Sequence, residues 1–120
     1  MSKNSVCHIE ISCKDSKKAS RFYESLFGWK TEAAMGDEYI FFQPEIGVGG
    51  AFSQNPDHKP GESVVFYVEV DDIEASLKKA AELGGTEARA KTEIPGHGWY
   101  GLFIDPDGNK MGLFTSRTPE

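Results

Sequence analysis

Polar and apolar residues alternate over Val6–Cys13, with Cys7, Ile9, Ile11 and Cys13 on one side and His8, Glu10 and Ser12 on the other. Period two with a single apolar face predicts a half-buried strand. The period then changes. Ala19, Phe22, Tyr23, Leu26 and Phe27 recur at helical spacing, Asp15 or Ser16 stands where a capping oxygen is needed, and Gly28 supplies a left-handed exit. The apolar strand face is expected to meet this helix, so that His8, Glu10 and Ser12 look away from it. Three short strands are predicted next, over residues 29–34, 39–43 and 48–53. The third is glycine-rich and is expected to pack closely or to curve. Trp29, just past the helix stop, reads as core or dimer-interface packing. Residues 54–62 form a polar stretch with two prolines and no periodicity, a loop in which His58 is expected to be solvated.

Beyond that loop the pattern repeats. Residues 63–70 alternate as a strand, and Asp71 and Glu74 have capping-box spacing. Ile73, Leu77, Ala80 and Ala81 make a helical stripe that stops at Gly84-Gly85, and strands follow over residues 86–94, 99–104 and 110–115. The last two are joined by Asp105-Pro-Asp-Gly-Asn109, whose proline and glycine suit a tight turn. The halves superpose without gaps through the helix: His8 falls on Val65, Asp15 on Asp72, Leu26 on Leu83 and Gly28 on Gly85. Residues 49–52 likewise match residues 111–114. The chain is therefore read as one domain, residues 1–120, built from a tandem βαβββ duplication with repeats at 6–53 and 63–116. Two such halves can wrap their non-helical faces around a common cleft.

A chain of 120 residues suits one compact domain. A net charge of −6 argues against a broad nucleic-acid footprint, which needs a basic stripe. Cys7 and Cys13 lie six residues apart on one strand, roughly 20 Å in extended chain, so they cannot bridge each other. Two thiols on a buried face fit a reducing cytoplasm. No stretch has signal-peptide or membrane-span character, and a cytoplasmic protein without membrane attachment is expected.

The segments HIEI and KDSKKASRFYESLFGW, then GVGGAF, VEVDDIEASLKKAAELGG and GWYGLFIDPDGNKMGLF, resemble the vicinal-oxygen-chelate superfamily, also called the glyoxalase/bleomycin-resistance/dioxygenase superfamily. The resemblance runs over essentially the whole chain. It implies an α+β fold in which eight strands form an incompletely closed barrel with helices outside, and very often a homodimer. In metal-using members the first and last strand of each half give one ligand each, His or Gln on the first and Glu on the last. Chain matching puts those positions at His8, Gly50, Val65 and Gly112, and only His8 carries a donor. A zinc or iron site needs about three protein ligands. A one-residue slip brings in only Gly49, Ala51, Met111 and Leu113. No metal and no other cofactor is expected. An ion would need Glu10, Glu69 or His97 recruited from unfamiliar positions.

With the parity set by His8, the expected cleft face holds His8, Glu10 and Ser12, then Val65, Tyr67 and Glu69, with Phe52 and Phe114 beside Gly50 and Gly112. The family's pairing around the Asp105–Asn109 turn adds Tyr100 and Leu102 and leaves Phe103 for the helix side. Glycine in place of glutamate is expected to open volume for an organic ligand, with Phe52, Tyr67, Tyr100 and Phe114 as stacking surfaces. The segment from Ile94 to Tyr100 reads in two ways: a loop closing over the ligand through His97 or Trp99, or a rigid turn with Trp99 as packing. His8 and Glu10 also read in two ways, as a proton-transfer pair or as a core hydrogen bond. The expectation adopted is a glyoxalase/bleomycin-resistance-like protein that binds a small organic molecule in a metal-free aromatic cleft, without a required reaction. The alternative is a lyase, isomerase or epimerase of the same fold using His8 and Glu10. A pure protein-interaction module ranks third, because the expected cleft is sized for a small molecule.

Overall fold

The computed structural model describes residues 3–59 and 63–117. It is an α+β protein in which strand, helix and three strands occur twice: β1 (Val6–Cys13), α1 (Ser16–Phe27), β2 (Lys30–Glu32), β3 (Tyr39–Gln43) and β4 (Gly50–Gln54), then β5 (Val65–Glu69), α2 (Ile73–Glu82), β6 (Thr86–Ile94), β7 (Gly98–Ile104) and β8 (Lys110–Ser116). By contacts the chain divides into two compact units, residues 8–65 and residues 3–7 with 66–117.

In the first unit the strand order is β2-β3-β4-β1, with β1 parallel to β4 and the other pairings antiparallel. Asp15 caps α1, its carboxylate accepting from the Lys18 N–H at 3.2 Å, and Gly28 ends it at φ 72° with its N–H on the Glu24 carbonyl. The helix does not meet the sheet through the full stripe expected from the sequence. It seats through Ser16, Ser20 and Tyr23, one line at i, i+4 and i+7, while Phe22 and Leu26 stay 59% and 57% exposed. Two serines on the contact line let the helix backbone approach closely. Ser16 tolerates complete burial because its N–H reaches Gln54 Oε1 at 3.1 Å and its hydroxyl reaches the Glu38 and Phe52 carbonyls. Around Tyr23 the core is aromatic: Tyr23 stacks on Trp29 and on Phe52, and Trp29 stacks on Phe42 at 4.6 Å between ring centres. Each such pair contributes about 0.5–1.5 kcal/mol beyond its buried area.

The second unit orders its strands β5-β8-β7-β6, with β5 parallel to β8. The α2 cap is Asp72, one residue later than the expected Asp71; its carboxylate accepts from the Ala75 N–H at 3.0 Å, while Asp71 pairs with Lys3. Asp72 is therefore the true counterpart of Asp15, as the superposition of the halves requires. The helix ends at Leu83, followed by Gly84 at φ 103°, within the Gly84-Gly85 stop expected from the sequence. Ile73 and Leu77 pack with Val70 and Leu113, and Val68, Trp99 and Phe103 close over that cluster. The β7–β8 turn is held by the Asp105 carboxylate, which accepts from the Asp107 and Asn109 N–H groups at 2.9 Å each and from the Asn109 side chain at 3.0 Å. Those hydrogen bonds favour the charged form and hold the Asp105 pKa below its ordinary value, the Asn109 contacts contributing most.

Candidate functional site

Pairing register decides which side chains share a face. In the first unit Ile9, Ile11 and Cys13 sit opposite Gly50, Phe52 and Gln54, so His8, Glu10 and Ser12 project to the face away from α1. Tyr39 pairs with Ser53 and Phe41 with Ala51, which puts both rings on that same face. There the Tyr39 hydroxyl donates to Glu10 Oε2 at 3.0 Å and lies 2.9 Å from His8 Nε2. A phenol has one hydrogen. Because that hydrogen goes to Glu10, the His8 Nε2 is the donor toward Tyr39, and in the neutral ring Nδ1 holds the lone pair. Burial lowers the His8 pKa, since a half-buried imidazolium loses solvation, so the neutral ring is favoured. The Phe41 ring meets the imidazole edge-on, with centres 6.3 Å apart. Further along β1, the Ser12 N–H donates to Ser63 Oγ at 2.8 Å and the Ser12 hydroxyl lies 3.0 Å from His58 Nδ1.

Tyr39 was not among the residues expected here, and His58 was expected in solvent. Strand β3, YIFFQ, is apolar at four consecutive positions, so period two cannot say which rings face α1. The Tyr39 hydroxyl was the one available signal, since a phenol seeks a polar partner when half buried. His58 is half-buried rather than solvated because Ser12 holds its ring.

Phe52 is a correction. Expected beside His8, it is instead completely buried against Tyr23 and Phe42 on the α1 side, and Gly50 goes with it. One register fact accounts for both, the pairing of Ile9 with Gly50 and Ile11 with Phe52.

In the second unit Tyr67 pairs with Gly112 and Glu69 with Phe114, while Leu102 and Tyr100 lie opposite Gly112 and Phe114. Tyr67, Glu69, Tyr100, Leu102, Gly112 and Phe114 therefore share the face away from α2, and Phe103 goes to the helix side. Glu69 is 2% exposed. Its charge, together with burial, which is the larger cause, pushes the Cys7 thiol up to about 11, so Cys7 stays protonated. The Arg89 guanidinium stands 5.8 Å above the Tyr100 ring centre. Trp99 is on the opposite side, packed against the α2 cluster and flanked by the Lys91 and Arg117 side chains. His97 is exposed in the β6–β7 turn, where its N–H bonds to the Ile94 carbonyl and its own carbonyl accepts from the Arg117 N–H. Arg117 also pairs with Glu93. Of the two readings of residues 94–100, the side-chain contacts favour the packed turn.

The residues present do not fit a metal. A Cβ on Gly50 would overlap the Ile9 carbonyl and crowd the Phe42 ring, and a Cβ on Gly112 would overlap the Tyr67 ring. Neither glycine leaves the open volume expected from the sequence; each is a point of close approach. Among the described residues no three His, Cys, Asp or Glu side chains are grouped to hold an ion.

The glyoxalase/bleomycin resistance protein/dioxygenase superfamily model matches residues 5–113. A glyoxylase-like domain-containing protein from Didymella fabae is 29% identical over 126 residues, covering 92% of each chain. Among solved structures, hypothetical protein BH1468 from Bacillus halodurans aligns at a TM-score of 0.74 and 15% identity over 99% of both chains. Methylmalonyl-CoA epimerase from Mycobacterium tuberculosis aligns at 0.73 and 14% identity, over 98% of this chain and 93% of that one. At these identities the two structures share the fold with this chain.

Proposed function

The chain belongs to the glyoxalase/bleomycin resistance protein/dioxygenase superfamily, and from that premise we propose that it binds a small organic molecule without a metal, on the strand faces turned away from its helices. The observation that carries this reading is the chain of hydrogen bonds from His8 through Tyr39 to Glu10. A few convergent polar groups beside aromatic rings are the usual composition of a small-molecule site, the polar groups fixing orientation and the rings supplying contact area. Tyr39 and Phe41 are the contact surfaces beside that trio, and Tyr67, Tyr100, Leu102 and Phe114 make a separate face of the second unit with the same aromatic character.

A second reading has its own support in the His8 ring. A neutral imidazole whose Nε2–H is committed to Tyr39 presents its basic nitrogen at Nδ1, the arrangement a general base requires. In an epimerase, isomerase or lyase of this type, a proton would pass from a carbon beside a carbonyl to Nδ1. The resulting imidazolium would be stabilised through Tyr39 by the Glu10 carboxylate. Likeness to an epimerase at 14% identity adds nothing to this; the trio alone supports it.

The experiment is a nuclear magnetic resonance screen of small carbonyl and aromatic compounds, reading the His8 and Tyr39 ring signals in the intact chain. Compounds that shift those signals, with weaker binding to Tyr39→Phe, support the reading. A screen in which every hit leaves both signals unmoved sinks it. Running the same compounds in D2O separates the second reading: deuterium entering a hit's α-carbon, and ceasing in His8→Asn, shows proton transfer. The free thiols of Cys7 and Cys13 support a reducing cytoplasmic setting, and the outward Phe22 and Leu26 support a homodimer. Light scattering on the purified chain measures the latter.

A further inference from the structure

Glu69 is the charged side chain that falls in the buried class among the described residues, and its Oε1 has no hydrogen-bond partner. A buried carboxylate oxygen left unpaired is costly, and where one persists it points to a group that arrives from outside. The nearby cation does not complete it. Lys3 Nζ stands 3.9 Å from Glu69 Oε2 but 3.4 Å from the exposed Asp71 carboxylate, so one ammonium is shared by two carboxylates. The cluster keeps a net negative charge, with the unpaired oxygen as its buried end. Cys7 leaves that charge in place, because its thiol stays protonated. The surroundings are aromatic: Glu69 shares the face of Phe114, its register partner, with Tyr67 two residues back and Tyr100 opposite Phe114. Aromatic faces beside an anion are the combination that takes up a cation with an apolar body. Arg89 stands over the Tyr100 ring, while Phe114 is the register partner of Glu69 and Tyr67 lies two residues before it on the same face.

We propose that Glu69 Oε1 accepts a hydrogen bond from a protonated amine on an aromatic or apolar ligand, whose body lies against Tyr67 and Phe114. This rests on the small-molecule reading and narrows it to a cationic head group. Three probes of one shape and different charge test it on the full chain: benzylammonium, benzyl alcohol and benzoate. Benzylammonium is expected to shift the Tyr67 and Phe114 ring signals and the Glu69 carboxyl carbon, to bind roughly tenfold more tightly than benzyl alcohol, and to exceed benzoate by more. Glu69→Gln is expected to bring benzylammonium down to the level of the alcohol. If that variant does not fold, the Glu69 carboxyl signal of the unaltered chain decides alone. Equal binding of all three probes to this face overturns the amine assignment and leaves the small-molecule reading standing. No response of the face to any probe overturns the subsite. Failure of the broader reading is seen separately, at the His8 and Tyr39 signals.

Discussion

The Tyr67 ring lies where a side chain on Gly112, its register partner on the neighbouring strand, would have to go. Gly112 is thus a seat for a ring, and no larger side chain fits there without moving Tyr67. Gly112→Ala is expected to cost about 1–3 kcal/mol by overpacking. In a Tyr67→Ala background the same change should cost clearly less, because the two residues are in contact. Urea midpoints of the four proteins measure the coupling; additive costs would show that the ring does not set the constraint.

Tyr39→Phe removes one hydrogen bond from His8 and one from Glu10 on a half-buried face. A loss of about 1–2 kcal/mol is expected. The sharper readout is the nitrogen spectrum of His8. In the native chain Nε2 should appear protonated and Nδ1 unprotonated, and the variant should lose that preference. An unchanged spectrum would mean that Tyr39 does not set the tautomer.

His8 should give the protein an acid-sensitive limb. Burial lowers its folded pKa below the ordinary 6.5, so between the two values the unfolded chain binds more protons and stability rises with pH. Stability is therefore lost as pH falls through about 6.5, and the loss levels off below the folded value. Urea midpoints measured from about pH 7.5 down to about pH 5 should fall in the wild type and flatten in His8→Asn.

Asp105 works in the opposite range. Its folded pKa lies below the ordinary 3.8 because Asn109 and its neighbours donate to the carboxylate. Its contribution is present above that value and disappears as pH falls through the folded pKa. Asp105→Ala should flatten that acid limb and speed amide exchange at Asp107 and Asn109, whose N–H groups it accepts.

The two helix caps should behave as copies. Asp15→Ala and Asp72→Ala are each expected to cost about 1 kcal/mol, within a range of about 0.5–2. By contrast, Asp71→Ala should leave α2 intact, since Asp71 faces Lys3 and not the helix N–H groups.

The chain's own pattern determined the duplication, the order of the elements, the start of α1 at Asp15 or Ser16 and the Asp105 turn, because each depends on neighbours a few residues apart. With the pairing that the family resemblance implies, it also placed β5, β7 and β8 as their register has them. In β5 the parity came from matching Val65 to His8 across the repeat, and the family's pairing around the Asp105–Asn109 turn set β7 against β8. Tertiary structure alone decided the first unit's inner strands. YIFFQ and GGAFSQ are apolar or small in both parities, so no period-two signal separates Phe52 from Ala51 or Tyr39 from Ile40. Pairing with β1 settles it, and that pairing joins residues some forty positions apart. The Tyr39 bridge between His8 and Glu10, the His58 contact with Ser12 and the Tyr67 ring over Gly112 are likewise meetings of distant residues. Side-chain volume and hydrogen-bond geometry fix them once the strands are aligned, and neither quantity is written in the spacing of residues along the chain.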